Sequence, residues 1–165
     1  MWLERREVVK GRNEQRRQIL FGIGVIAFFA SIPYLYDGMV SGADLTYHLH
    51  RIEGVKDGLL TGQFPVRLEP RWVFDHGYAN GIFYCNLLLY FPALLRMAGF
   101  TMTESYAFYC IGLNIATAAI AWYCFNGIFK DRIIGLVCSA LYTLSIFRFF
   151  KLVMVGAVGE GSAYT

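Results

Sequence analysis

Three residues of unlike chemistry stand along one short stretch: Asp44, His48 and Arg51. On a helix their i, i+4, i+7 spacing lines them up on one face. The carboxylate is a candidate general base or metal ligand. The histidine is a candidate base or ligand and, when protonated, a phosphate donor. Arginine clamps phosphate with two parallel hydrogen bonds. The trio suits a phosphate-bearing substrate. It also suits a plain helix cap, with His48 and Arg51 pairing to Asp44 in water, because such pairs are common and weak. A second set follows within residues 64–81, a stretch punctuated by proline and glycine. There Arg67, Arg71, Asp75 and His76 stand beside Trp72 and Tyr78. These residues offer cations for a phosphate and rings for a sugar face. An interfacial aromatic belt with solvated charges would look the same.

A helix over residues 43–60 would carry the first set. Leu45, Leu49 and Ile52 share its neighbouring face, so it is expected to lie in the membrane interface with that stripe in lipid. Asp44 then sits in the first turn, where free N–H groups favour an anion. The helix should stop near Gly58, Thr61 or Gly62, before Pro65.

A membrane is expected because 56% of the 165 residues are hydrophobic and only 16% are charged. Soluble domains run near 45–50% and about 25%. The excess is blocky: residues 1–18 hold nine charged side chains and residues 19–36 hold none. Spanning helices need about 20 apolar residues. The windows are 19–36, roughly 82–100 with Arg96 placed to snorkel, 105–129, and about 133–150 with Arg148 near its end. The apolar run 19–36 exceeds the roughly 7–15 residues of a cleaved leader, although the small residues Ser41-Gly42-Ala43 follow it. Residues 1–18 form a basic segment expected to stay cytoplasmic, and 37–81 an extracytoplasmic loop with net charge −2. Residues 82–165 supply further transmembrane helices. The connector Lys130-Asp131-Arg132 sits awkwardly with that parity. The fold class expected is all-α, polytopic, with a helical, amphipathic first outer loop.

Several classes are excluded. The net charge of +3 comes mostly from one end, with no basic, aromatic-studded polar face, so nucleic acid is not a partner. Cys85, Cys110, Cys124 and Cys138 all fall in apolar windows without metal-ligand spacing. Residues 152–165 read as the entry to another helix, so further helices or partner subunits are expected.

The string Gly42-Ala43-Asp44-Leu45-Thr46-Tyr47-His48-Leu49-His50-Arg51-Ile52, followed by Gly62-Gln63-Phe64-Pro65-Val66-Arg67 and by Trp72, Gly77, Gly81 and Tyr84, resembles bacterial YfhO-like and 6-pyruvoyl-tetrahydropterin-synthase-related membrane proteins. Those look like members of the GT-C superfamily of polytopic glycosyltransferases. The likeness covers most of the chain after residue 18, and only the beginning of such a protein. It implies a GT-C-like N-terminal module that passes a sugar from a polyprenyl-phosphate donor to an acceptor on the outer membrane face. Asp44 would be the general base, or a ligand where a divalent ion is used. His48 and Arg51 would steady the donor phosphate or the carboxylate, with Arg67 and Arg71 as further phosphate contacts and Trp72 and His76 at the substrate. Glu160 stands about where a second acid is expected. Four full spans would put it on the side opposite Asp44, and it joins the site only if one window is short or re-entrant. The alternatives are a carrier or flippase, or a scaffold whose outer loop binds a partner.

Overall fold

The computed structural model describes residues 2–36 and 42–165, with side chains from residue 13 onward. Asp37 and Ser41, and the side chains of the basic leader up to Arg12, lie outside the described residues. The described chain is helical and contains no strand; one isolated bridge pairs Glu69 with Tyr78.

Helix α1 (Trp2–Ser31) runs on as a 3₁₀ turn to Tyr34. Helix α2 (Leu45–Leu60) follows, then an irregular loop and a short helix α3 (Tyr90–Met97). Helix α4 (Met102–Phe129) opens with a full capping box: Thr101 Oγ1 accepts from the Glu104 N–H at 3.2 Å, and the Thr101 N–H donates to Glu104 Oε2 at 2.8 Å. Helix α5 (Arg132–Thr143) is capped by Asp131. It bends by 41° into α6 (Ile146–Val155), whose second half is π-helical, and the chain ends in α7 (Val158–Ala163).

Two stretches, Asn13–Tyr34 and Met102–Phe129, are long and apolar enough to cross a membrane, and the bent pair α5–α6 makes a third if it is one span. The expected window at 82–100 is corrected. Its apolar helix covers only Leu87–Met97, about 16 Å at 1.5 Å per residue, which is half a bilayer core. Asn86 is buried in that region as a hydrogen-bonding partner, and Pro92 sits in the first turn of α3. Arg96 does not snorkel either. Its Nε donates to Glu53 and its Nη1 to the Phe100 carbonyl, which pins α3 to α2.

The core has two centres. Near the loop, Ile52, Val55, Leu89, Ala93, Tyr109 and Val158 join α2, α3, α4 and α7. Leu45 and Ile52 therefore face protein, and the expectation that this stripe lies in lipid is corrected: three apolar elements fold over it and exclude lipid. Lower down, Ile23, Ile26 and Ala118 pack α1 on α4, with Leu136 and Ala140 of α5 alongside. Polar side chains lock this bundle. Arg148, 4% exposed, donates to Asn114 Oδ1 and Thr117 Oγ1, both at 2.8 Å. Asn114 Nδ2 in turn donates to the Ala30 carbonyl at 3.0 Å. Inside an apolar bundle such bonds hold helices together. With the window at 82–100 removed, at most three stretches are long and apolar enough to cross a membrane. Arg132 Nη1 donates to Gln15, so the basic connector lies level with the start of the apolar stretch Asn13–Tyr34 of α1.

Candidate functional site

Asp44 is positioned by a backbone crossing. Its N–H donates to the Val155 carbonyl at 3.0 Å, which lays residues 42–45 across the end of α6. Two glycines permit this. A Cβ on Gly42 would stand 2.6 Å from the Val155 oxygen, and one on Gly156 would stand 2.7 Å from Leu45 Cβ. Gly156 also has φ +71°, a left-handed conformation that costs other residues roughly 1 kcal/mol or more. Asp44 occupies the N-cap position of α2 but makes no side-chain cap bond. Its carboxylate is exposed. Lys151, on the same helix α6 as Val155, pairs through Nζ with Glu160 Oε2 at 2.8 Å. Glu160 is thus bonded to the helix whose end Asp44 crosses.

His48 and Arg51 turn the other way, into the fold. Arg51 is 2% exposed, and its Nη2 donates to Asn86 Oδ1 at 2.6 Å and to the Cys85 carbonyl at 3.2 Å. Its guanidinium lies 4.7 Å from the centre of the Tyr84 ring. Nη1 donates to His48 Nδ1 at 3.3 Å, which puts the histidine proton on Nε2. Asn86 Nδ2 reaches Glu69 Oε1 at 3.5 Å, and Glu69 is fully buried beside Gly54. The reading of His48 and Arg51 as residues paired to Asp44 in water does not survive: both are enclosed, and Arg51 is engaged with other partners. Burial, and then the neighbouring Arg51 charge, push the His48 pKa down to about 4, against the pull of Asp44. Burial raises the Glu69 carboxyl above its ordinary range, opposed by nearby donors and by Arg51.

A pH dependence follows. A histidine neutral in the fold and ordinary when unfolded makes the unfolded chain bind more protons between pH 6.5 and about 4. Stability is complete above that window and falls as pH drops through it, by something of the order of 2–3 kcal/mol. Thermal denaturation in detergent at pH 7 and pH 4.5 should show the loss, and His48→Gln should flatten it. An unchanged slope in that variant would mean other groups control the acid limb.

Arg71 and Trp72 meet a different part of α2. They line a groove of about 630 Å³ with Thr46, Leu49, His50 and Glu53. The Trp72 ring packs edge-on against His50 at 5.8 Å and Tyr47 at 5.6 Å. Arg71 is paired with Asp57 across the groove's rim. Burial tends to raise Glu53, but its bonds from Lys56 and Arg96 prevail and hold it below the ordinary range. The groove's lip is a left-handed turn, with Val73 at φ 56°, Phe74 at 53° and Asp75 at 66°. It is closed at its base by paired Glu69 and Tyr78 backbone bonds of 2.9 and 3.0 Å. Phe74, at the tip, is 95% exposed. Arg67 and His76 are exposed and make no side-chain bond among the described residues.

The structure therefore brings together His48 with Arg51 and Arg71 with Trp72, and sets the Asp44 backbone on Val155 of α6, the helix whose Lys151 pairs with Glu160. Sequence reasoning missed Lys151, Glu69, Asn86 and His50. The signal for Asn86 was available, since Asn80 and Asn86 are the two amides in the otherwise uncharged run 79–95. Among the described residues no three of His, Cys, Asp and Glu gather to hold a metal ion, and Glu160 is occupied by Lys151. The donor set thus does not fit a tightly held divalent ion. No protein-family model matches the chain, and neither a curated protein nor a solved structure matches it.

Proposed function

We propose that the chain is part of a membrane glycosyltransferase that moves a sugar from a polyprenyl-phosphate carrier to a cell-envelope acceptor at the outer face. The observation that carries the reading is the exposed Asp44, held by its N–H on the Val155 carbonyl of the same helix α6 that carries Lys151 and its Glu160 partner, at the end of the bundle away from the basic connector. The resemblance of residues 42–52 to GT-C proteins supports it.

In this reading Asp44 takes the proton from the acceptor hydroxyl as that oxygen bonds to the sugar's anomeric carbon. The carrier phosphate leaves with the electrons of the broken glycosidic bond. The Lys151 ammonium, kept in place by Glu160, supplies positive charge toward the leaving phosphate. The apolar, Trp72-walled groove one turn along α2 receives the sugar or the first isoprene units, with Arg71 at its rim. Arg67 and His76 remain open to the same face. His48 and Arg51 are positioning residues, holding α2 against the loop from inside. General acid–base help of this kind is typically worth 10²–10⁴-fold.

Topology tests the arrangement. Single cysteines at positions 44, 160 and 130, in a background where Cys85 and Cys124 are serine, are labelled on intact cells with a membrane-impermeant thiol reagent. Positions 44 and 160 should react from outside, and 130 only after permeabilisation. Labelling of 44 and 160 from opposite sides would end the reading. A carrier is the second reading, favoured by one observation, the enclosed Arg148 cation within the helix bundle. Movement of intact lipid-linked sugar across vesicles without release of the sugar would favour it instead.

A further inference from the structure

The opposite end of the bundle holds a site that sugar transfer does not use. Helix α1 changes from charged to apolar between Arg17 and Ile19. Helix α4 hands over to α5 at the same level, through Lys130, Asp131 and Arg132, because Arg132 bonds to Gln15. Three chain segments cross one polar–apolar boundary there, the level of lipid headgroups. Between them lies a cleft of about 500 Å³. Gln15, Gln18, Lys130 and Arg132 form its polar side; Ile19, Ile133 and Leu136 form its apolar side. Ile133 is 75% exposed, so the apolar side opens laterally toward the bilayer rather than into the protein.

Among the described residues the lining keeps a net positive charge, Lys130 and Arg132 against the single carboxylate of Asp131. Asp131, its one acid, is committed to helix capping, with Oδ1 accepting from the Ile133 and Ile134 N–H groups at 2.8 and 3.0 Å. Among the described residues no ion pair joins Lys130 or Arg132 to a carboxylate. Arg132 uses only Nη1 there, on Gln15, leaving its other donors for a ligand. Lys130 holds a left-handed conformation, φ 53°, where glycine is the usual residue at a helix end.

Two cations and two amides above an open hydrocarbon wall match one kind of molecule, an anion that carries its own acyl chains. We propose that this cleft binds the phosphate of an anionic glycerophospholipid. Lys130 and Arg132 hold the phosphate, the glutamines meet the glycerol region, and the acyl chains lie along Ile19, Ile133 and Leu136. The site shares no residue with Asp44 or the groove and stands or falls independently of the sugar-transfer reading.

The test is thermal unfolding of the protein purified in detergent, with phosphatidylglycerol, phosphatidylcholine or inorganic phosphate added, and native mass spectrometry on the same samples. Phosphatidylglycerol at about a hundred times its Kd should raise Tm by roughly 5–10 °C and remain bound. Phosphatidylcholine and inorganic phosphate should do neither. Lys130→Gly removes the ammonium while suiting the left-handed backbone, so the variant should fold as well as the parent and lose most of the shift. Arg132→Gln with Lys130→Gly should abolish it. An equal shift with phosphatidylcholine, or with phosphate alone, overturns the proposal, as does a full shift in the folded Lys130→Gly protein.

Discussion

Asp44→Asn is expected to reduce sugar release from a polyprenyl-phosphate donor by two to four orders of magnitude, with insertion and yield unchanged. The second half of that expectation comes from geometry. The Asp44 side chain makes no cap bond, and what anchors the residue is its backbone N–H on the Val155 carbonyl. Asparagine keeps that bond, keeps the size, and is itself a good residue at a helix N-cap. The substitution therefore removes a proton acceptor and little else. The assay is conversion of lipid-linked sugar by membranes carrying the variant, normalised to protein detected by labelling. Transfer at the parent's rate would show that the carboxylate takes no part in chemistry.

Arg51→Ala should act in the opposite way, on the fold first. Arg51 carries the positive charge enclosed with Glu69, and it bonds to Asn86, the Cys85 carbonyl and His48 at once. Truncation leaves a buried carboxylate without compensation and an amide without its donor. Leaving buried polar partners unsatisfied in this way typically costs about 1–3 kcal/mol, more where a charged group is involved. Whole domains are stable by only about 5–15 kcal/mol, so the variant should express poorly and unfold many degrees early. Arg51→Lys should recover little, because an ammonium cannot serve three partners in the plane that the guanidinium occupies. A double variant, Arg51→Met with Glu69→Gln, should be more stable than Arg51→Ala. If Arg51→Ala melts like the parent and loses only transfer, the residue touches substrate and the positioning role is wrong.

These two predictions separate residues that periodicity had placed on one face. The i, i+4, i+7 spacing of Asp44, His48 and Arg51 was sound as helix geometry, since α2 starts immediately after Asp44. It carried no information about what the face meets. Once α3 and the Asn86 loop close over α2, the helix interior takes His48 and Arg51 and leaves Asp44 outside. The same limit explains the misread window at 82–100. Average apolarity is identical for a segment bound for lipid and one bound for a protein core, and only the buried Asn86 and the shortness of Leu87–Met97 tell them apart.

Length, apolar runs and caps are local properties, so the helical class, the two helices long and apolar enough to cross a membrane, and the break at Lys130-Asp131-Arg132 could all be read from residue order. Backbone hydrogen bonding and transfer into lipid act within a single segment and need no partner. The crossing of Asp44 over Val155, the enclosure of Arg51 and the cleft under Lys130 depend on contacts between segments far apart in the chain. Two glycines, Gly42 and Gly156, let one backbone cross another, and the short helix Leu87–Met97 packs against α2. Such juxtapositions arise from packing as a whole, where the burial of one group is set by the neighbours that happen to cover it.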